Sequence, residues 1–258
     1  IHNVAVGFNS LFGTTTGLCN VGVGGGALQS NTTGCYNVAV GRFANCANLT
    51  SNNNVAVGHE ALKLNTAANN TAIGCGSLGA NTTGTQNTAI GGLALDVNTT
   101  GNENTAVGYS ALGANTTGYN NIAVGRCSLA SNSTGFGNSA LGLNAGFDVT
   151  TGDNNVLLGH NAGRSSSPFE VTTEDGRMVL GNNTITNAYI KVALTVTSDQ
   201  RDKTNFGTVP HGLDFVNKLE PVSFQFKKSR EENTSIGFKK YGFKAQDILT
   251  LEGDNNVI

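Results

Sequence analysis

The sequence predicts an all-β repeat rod, a β-solenoid or β-roll of ten coils of about 17 residues, followed by a small α+β domain. Three observations predict it. The pentapeptide Asn-x-Ala-x-Gly recurs at near-fixed spacing. Glycine makes up 35 of 258 residues without a collagen triplet period. The composition then changes near residue 164. Residues 1–160 hold three basic residues (Arg42, Lys63, Arg126), five acidic ones, 27 glycines, all five cysteines and no proline. The other 12 basic residues, 12 acidic residues and three prolines follow in 161–258.

Clear copies of the pentapeptide begin at Asn3, Asn37, Asn54, Asn87, Asn104 and Asn121, and looser ones at Asn20, Asn70, Asn138 and Asn155. Their glycines fall at 7, 24, 41, 58, 74, 91, 108, 125, 142 and 159, every step being 17 except one of 16. Within a copy, Val4 and Val6 flank Ala5, an alternation at period 2 that predicts a short strand. The expected orientation turns the branched residues into the coil. The Ala column (Ala5, Ala39, Ala56, Ala72, Ala89, Ala106, Ala123) then faces outward, where a second chain can approach closely. A leucine four residues after the glycine (Leu11, Leu28, Leu62, Leu78, Leu95, Leu112, Leu129) supplies a second ladder for the same core. Asn-Thr-Thr-Gly, as in Asn98–Gly101, predicts a turn. One such unit cannot form a core alone; stacked units can, with asparagines bonding to one another up the stack. Ten coils at about 4.8 Å each give a rod roughly 50 Å long. Gly, Asn and Thr at this density oppose a helical solenoid. Because a coil this small encloses little volume, a bundle of chains is expected.

The pattern Asn-x-Ala-x-Gly-x-x-Ala-Leu over residues 3–160 resembles the head repeats of trimeric autotransporter adhesins and related phage fibre proteins. The resemblance implies a homotrimeric β-roll. The shaft is then a structural or host-binding element whose partners are two further copies of itself and a host surface receptor or glycan. Its setting is a virion or the extracellular space.

The domains expected are a shaft at 1–163, a strand-rich neck at 164–197 and a terminal domain at 198–258. The boundary lies in the loop-like run Arg164-Ser-Ser-Ser-Pro168. Residues 178–197 are β-branched and aromatic, with no helix signal. After Ser198-Asp199-Gln200-Arg201-Asp202-Lys203, apolar residues at Leu213, Phe215, Val216 and Leu219 predict a short amphipathic helix stopped before Pro221. Val222–Lys227 alternates as a strand, and Gly242-Phe-Lys-Ala-Gln-Asp247 follows a charged loop. This succession resembles the intramolecular chaperone domain of phage tail fibres and tailspikes, classed as peptidase S74. The resemblance implies that the domain trimerises its fibre and then cuts itself off before the serine. Ser198 is then the nucleophile on the carbonyl of Thr197. Lys203 is the base, with Lys244 in reserve, and Asp199 orients the pair. A serine hydroxyl needs such a base, and burial lowers the pKa of a lysine enough to serve. The family continues into long C-terminal helices, so the domain is expected to be truncated at Ile258. The rival reading is an extracellular filament or adhesin of a cell with an inactive chaperone remnant.

Other signals point elsewhere or nowhere. Asn31, Asn48, Asn81, Asn98, Asn115 and Asn132 form glycosylation sequons at one phase of the repeat, candidates for a row of glycans; repeated turn chemistry is the preferred reading. Cys19 and Cys35 sit on adjacent coils at nearly one phase and are placed for a disulfide, though plain thiols are preferred. No His or Cys spacing fits a metal, Gly22–Gly26 lacks a phosphate-loop context, and no cofactor is expected. A net charge of −2 argues against nucleic-acid binding, and no apolar run reaches the ~20 residues a membrane span needs. Five acidic residues along 1–160 leave little from which to build the paired-carboxylate cleft of a glycan hydrolase.

Overall fold

The computed structural model describes residues 2–188 except Ser166 and Pro168, and then Lys218, 220–227 and 235–242. The chain divides into two compact units, Ile1–Tyr189 and Ile190–Ile258. The first unit is a parallel β-solenoid. Its eleven three-residue strands, β1 (Val4–Val6) through β11 (Met178–Leu180), pair in sequence order to form one sheet. No α-helix occurs among the described residues. Pairing is in phase with the repeat: Ala89 lies opposite Ala106, and Ala106 opposite Ala123. The rest of each coil is bonded along the stack as well. Leu95 N–H donates to Ala111 O (3.0 Å) and Thr99 N–H to Thr116 O (3.0 Å).

The orientation of the strands corrects the expectation from sequence. The Ala column is interior: Ala39, Ala56, Ala72, Ala89, Ala106 and Ala123 are fully buried, and only Ala5, on the first rung, is exposed. The branched residues face outward. A three-residue strand has one inward position, and in the first nine coils that position faces the opposite wall of a narrow coil, where a methyl group or less is found. The leucine ladder is interior as expected, with Leu28, Leu62, Leu78, Leu95, Leu112 and Leu129 fully buried. A second small column, such as Ala94, Ala111 and Ser128, completes the apolar core.

Four corners per coil turn the chain this tightly. In the coil after β6 (Thr88–Ile90) they are Gly91 (φ 138°), Leu93 (57°), Leu95 (51°) and Glu103 (57°). Gly91 has no alternative, because a Cβ there would lie 2.5 Å from Gly108 O. A left-handed leucine costs about 1–2 kcal/mol. Burying its side chain contributes about 1.5–3 kcal/mol, so burial holds the corner.

Two asparagine columns fill the polar part of the interior. The asparagine before each strand takes the backbone of the next coil: Asn104 N–H donates to Asn87 Oδ1 (3.0 Å), and Asn87 Nδ2 donates to Gly101 O (2.8 Å). The same pair of bonds recurs from Asn3 to Asn155. The turn asparagines bond one another directly, Asn98 Nδ2 to Asn81 Oδ1 and Asn115 Nδ2 to Asn98 Oδ1, both at 2.8 Å.

The irregular coils show where the repeat bends. The 16-residue coil loses its residue in the turn between Asn65 and Asn70, and the strand register Ala56 to Ala72 is kept. Asn65 turns to Ala67 O (2.7 Å) instead of Asn48, whose Oδ1 is left without a partner. Val149 ends the turn column at its other end and leaves Asn132 Oδ1 unpartnered. Leu157 takes a place in the Ala column, and the leucine column holds Gly146 and Gly163 around it. A Cβ on these would lie 2.5 Å and 2.7 Å from the Leu157 methyls. The lengthened last coil has its added residues between Gly163 and Val171; Val171 is fully buried in the core, and β11 joins the sheet as an eleventh rung, 22 residues on, within the segment expected as a neck.

Asn45 stands in the leucine column, fully buried, with neither side-chain polar atom bonded among the described residues. Its φ of 47° matches the leucines of the column. Asn45→Leu is therefore expected to stabilise the rod by about 2 kcal/mol, since it removes an unsatisfied buried amide. Asn104→Ala is expected to destabilise it by about 2 kcal/mol, since it strands Asn121 N–H and leaves Gly118 O with Asn115 Nδ2 as its one side-chain donor. Urea midpoints of the two variants read both.

Candidate functional site

The solenoid presents chemistry in rows. The first and third residues of every strand point outward and form two adjacent rows along the rod. The third-position row runs from Val6 to Leu180 and contains only Val, Ile and Leu. The first-position row mixes Val, Thr, Ile, Ser and Met. Neither row contains a charged residue. Several of these side chains are far more exposed than an interior aliphatic: Val6 56%, Ile122 49%, Leu141 54% and Leu180 61%. An uncharged aliphatic strip running the length of a rod is larger than the scattered apolar residues of an ordinary surface.

The sequon row lies in the interior. Asn31, Asn48, Asn81, Asn98, Asn115 and Asn132 are fully buried. The Nδ2 that a glycan would need donates to the turn carbonyl three residues on, for instance Asn81 Nδ2 to Gly84 O (2.9 Å). In all but Asn31, Nδ2 also donates to another coil's asparagine. A glycan row does not fit the folded coil, because the same nitrogens hold the stack together.

A small charged cluster sits on the outer wall at the third to fifth coils. Lys63 Nζ is 3.0 Å from Glu60 Oε1, and His59 Nε2 is 3.9 Å from the same oxygen. Arg42 Nη1 is 3.5 Å from His59 Nε2, and Cys75 Sγ is 3.9 Å from His59 Nδ1. The Lys63 hydrogen bond holds the Glu60 carboxyl below its ordinary range. All five cysteines are free thiols, Cys19 and Cys35 included. Among the described residues no group of three His, Cys, Asp or Glu side chains is placed to hold a metal ion, and no helix is long and apolar enough to cross a membrane.

In the second unit, β12 (Val222–Lys227) pairs antiparallel with β13 (Ser235–Gly242), with a register shift between Phe224 and Phe226. The strand read from the alternation at 222–227 is present. Thr197, Ser198, Asp199, Lys203 and Lys244 lie outside the described residues, as does most of the helix expected at 212–219.

Residues 198–254 match the family model Peptidase_S74, the chaperone of endosialidase. The matched segment opens on Ser198 and takes in both strands of the second unit. No curated protein and no solved structure matches the chain significantly. An S74 chaperone match behind a long parallel β-solenoid is consistent with a protein of the tail-fibre or tailspike kind.

The thiols give a test of the described surface. Burial pushes the Cys46 thiol up, against the opposing pull of Lys63, whereas Cys75 is exposed. At pH 8 an alkylating reagent is expected to modify Cys75 before Cys46, because the thiolate is the reacting form. Peptide mapping by mass after timed quenching reads the order.

Proposed function

We propose that the protein is the shaft of a homotrimeric virion fibre, structural and host-adhesive, whose C-terminal chaperone domain drives trimerisation and is released by a cut between Thr197 and Ser198. The observation that carries this reading is the S74 match placed behind an eleven-rung solenoid. Three chains meet along the outward third-position row of Val, Ile and Leu, which takes the place of the Ala contact expected from sequence. The third-position strip supports that choice: it is uncharged, unbroken from Val6 to Leu180 and uncovered among the described residues. The buried sequon row counts against one of the two features that would mark the rival, a cellular filament or adhesin with an inactive chaperone remnant; the other is an uncut Thr197–Ser198 bond.

A chaperone suits this fold. A single coil has no core of its own, so the first coils are costly to form, and bringing three chains together adds a concentration-dependent step. A folded clamp that holds three chains raises their local concentration. Its later removal makes assembly kinetically irreversible. In the release step the Ser198 hydroxyl adds to the Thr197 carbonyl and its proton passes to Lys203, or to Lys244 in reserve. The C–N bond breaks as the Ser198 amine takes up a proton, leaving an ester. Water then splits the ester, freeing the Thr197 carboxylate and regenerating the hydroxyl. Asp199 orients the reacting groups.

Intact mass of the protein with its natural C-terminus, beside Ser198→Ala, tests the cut. The expected result is two fragments meeting at Thr197–Ser198 in the wild type and one chain in the variant; one uncut chain in both rejects autoproteolysis. Native mass tests the assembly: three shafts are expected. The double variant Ile90→Glu/Leu141→Glu is expected to give single chains with an unchanged circular dichroism spectrum. A trimer that survives those two charges places the contact elsewhere.

A further inference from the structure

The outer wall next to the sheet is interrupted once by a pair of glycines. In every coil two residues follow the strand-ending glycine, and their side chains stand in two rows. Only the second coil has glycine at both places, Gly25 and Gly26. The gap is a cleft of about 460 Å³. Phe8 of the first coil stands on one side, 82% exposed, and Arg42 and Phe43 of the third stand on the other. A Cβ on Gly26 would lie 2.5 Å from Phe43 Cδ1 and 3.1 Å from Gln29 Oε1, so a phenyl ring and an amide close over the floor. A Cβ on Gly25 would meet only Phe8 O, at 3.9 Å, so the middle of the cleft is open. The Arg42 guanidinium carbon lies 4.3 Å from the Phe43 ring centre, and its Nη1 is 3.5 Å from His59 Nε2. The Asn9 amide borders the cleft, and no acidic side chain lines it.

We propose that this cleft binds a pyranose bearing a carboxylate, the unit of an acidic polysaccharide. The volume is in the range of small-ligand sites. The exposed Phe8 ring offers a flat apolar surface to the C–H face of a sugar ring. Two amides, each with donor and acceptor atoms, suit neighbouring hydroxyls that also donate and accept. A planar guanidinium beside the cleft takes a carboxylate through two parallel hydrogen bonds, and its contact with the Phe43 ring limits the entropy lost on binding. One cation beside apolar rings suits a singly charged unit. A nucleic acid needs several cations along a groove, and the lining has one. Such a ligand gives the surface-binding role proposed above a chemical class, and rests on that reading only for its biological setting. The cleft is complete within one chain.

Calorimetric titration of the full chain with glucuronate and with glucose tests it, using the wild type, Arg42→Gln and Gly25→Tyr. Tyr109 stands at the place of Gly25 in a later coil, so the tyrosine fills the cleft without asking the coil for a new conformation. Circular dichroism confirms that each variant folds. Glucuronate is expected to bind the wild type about tenfold or more tightly than glucose, the worth of one charged hydrogen bond. That preference is expected to vanish in Arg42→Gln, and binding of both sugars in Gly25→Tyr. No heat of binding with glucuronate in the wild type overturns the proposal, as does equal affinity for the two sugars or full binding in Gly25→Tyr. Native mass of the same samples reads the trimer separately, so either idea can fail without the other.

Discussion

One side chain sets the period of the rod. The asparagine ahead of each strand accepts from the next coil's asparagine N–H and donates to the carbonyl of the next coil's turn. Both partners must arrive at one height, the N–H 17 residues and the carbonyl 14 residues further along the chain. Aspartate has no donor for the carbonyl, and glutamine carries its amide one methylene too far. The other columns inherit their alignment from this contact. The two coils of unusual length show its priority. Asn70 N–H still reaches Asn54 Oδ1 (3.0 Å) across the shortened coil, and Arg177 N–H still reaches Asn155 Oδ1 (2.8 Å) across the lengthened one. Length varies in the turns while the strand entrance stays fixed.

A coil held this way has little interior. It buries one leucine, two residues of methyl or hydroxyl size, and two amides. The bulkier aliphatic residues have no place inside and collect on the outer face of the sheet. The composition that makes a single chain narrow thus leaves a strip of Val, Ile and Leu solvated on the described surface, which is unfavourable along its length and which the proposed trimer would cover. A C-terminal segment matching a chaperone family is a natural companion to such a shaft.

Much of this architecture is legible in the amino-acid sequence. The glycine spacing locates every strand of the first ten coils, the leucines mark one core column, and the asparagines announce the ladders. The facing of the strands is different, because apolarity alone assigns the branched residues inward and turns every strand the wrong way. Size is the better guide. The middle position is Ala or Gly in the first nine strands, whereas the flanking positions accept Thr71, Thr88, Thr105 and Ser139. A position that tolerates hydroxyls but varies in bulk faces water or a partner; one that tolerates no bulk faces a wall. The cleft is not legible, because it is made by two side chains that are missing. In sequence, Gly25 and Gly26 read as a glycine-rich run, and their meaning depends on Phe8 and Arg42, one coil away on either side. The proposed nucleophile and bases rest on motif and order alone, since they lie outside the described residues.

The pairing of Leu157 with Gly146 and Gly163 bears on how such a rod changes over generations. Repeat arrays lengthen and shorten by unequal exchange between copies. Between the second and eighth coils an exchange of 17 residues returns similar neighbours to every column, apart from the substitutions at Asn45 and the shortened turn. An exchange with an end between Gly146 and Gly163 separates the large residue from the small ones that make room for it. It leaves a leucine against a leucine on one side or a void on the other. The packing of Leu157 thus penalises a change in coil number at the C-terminal end of the array more than one among the coils before it.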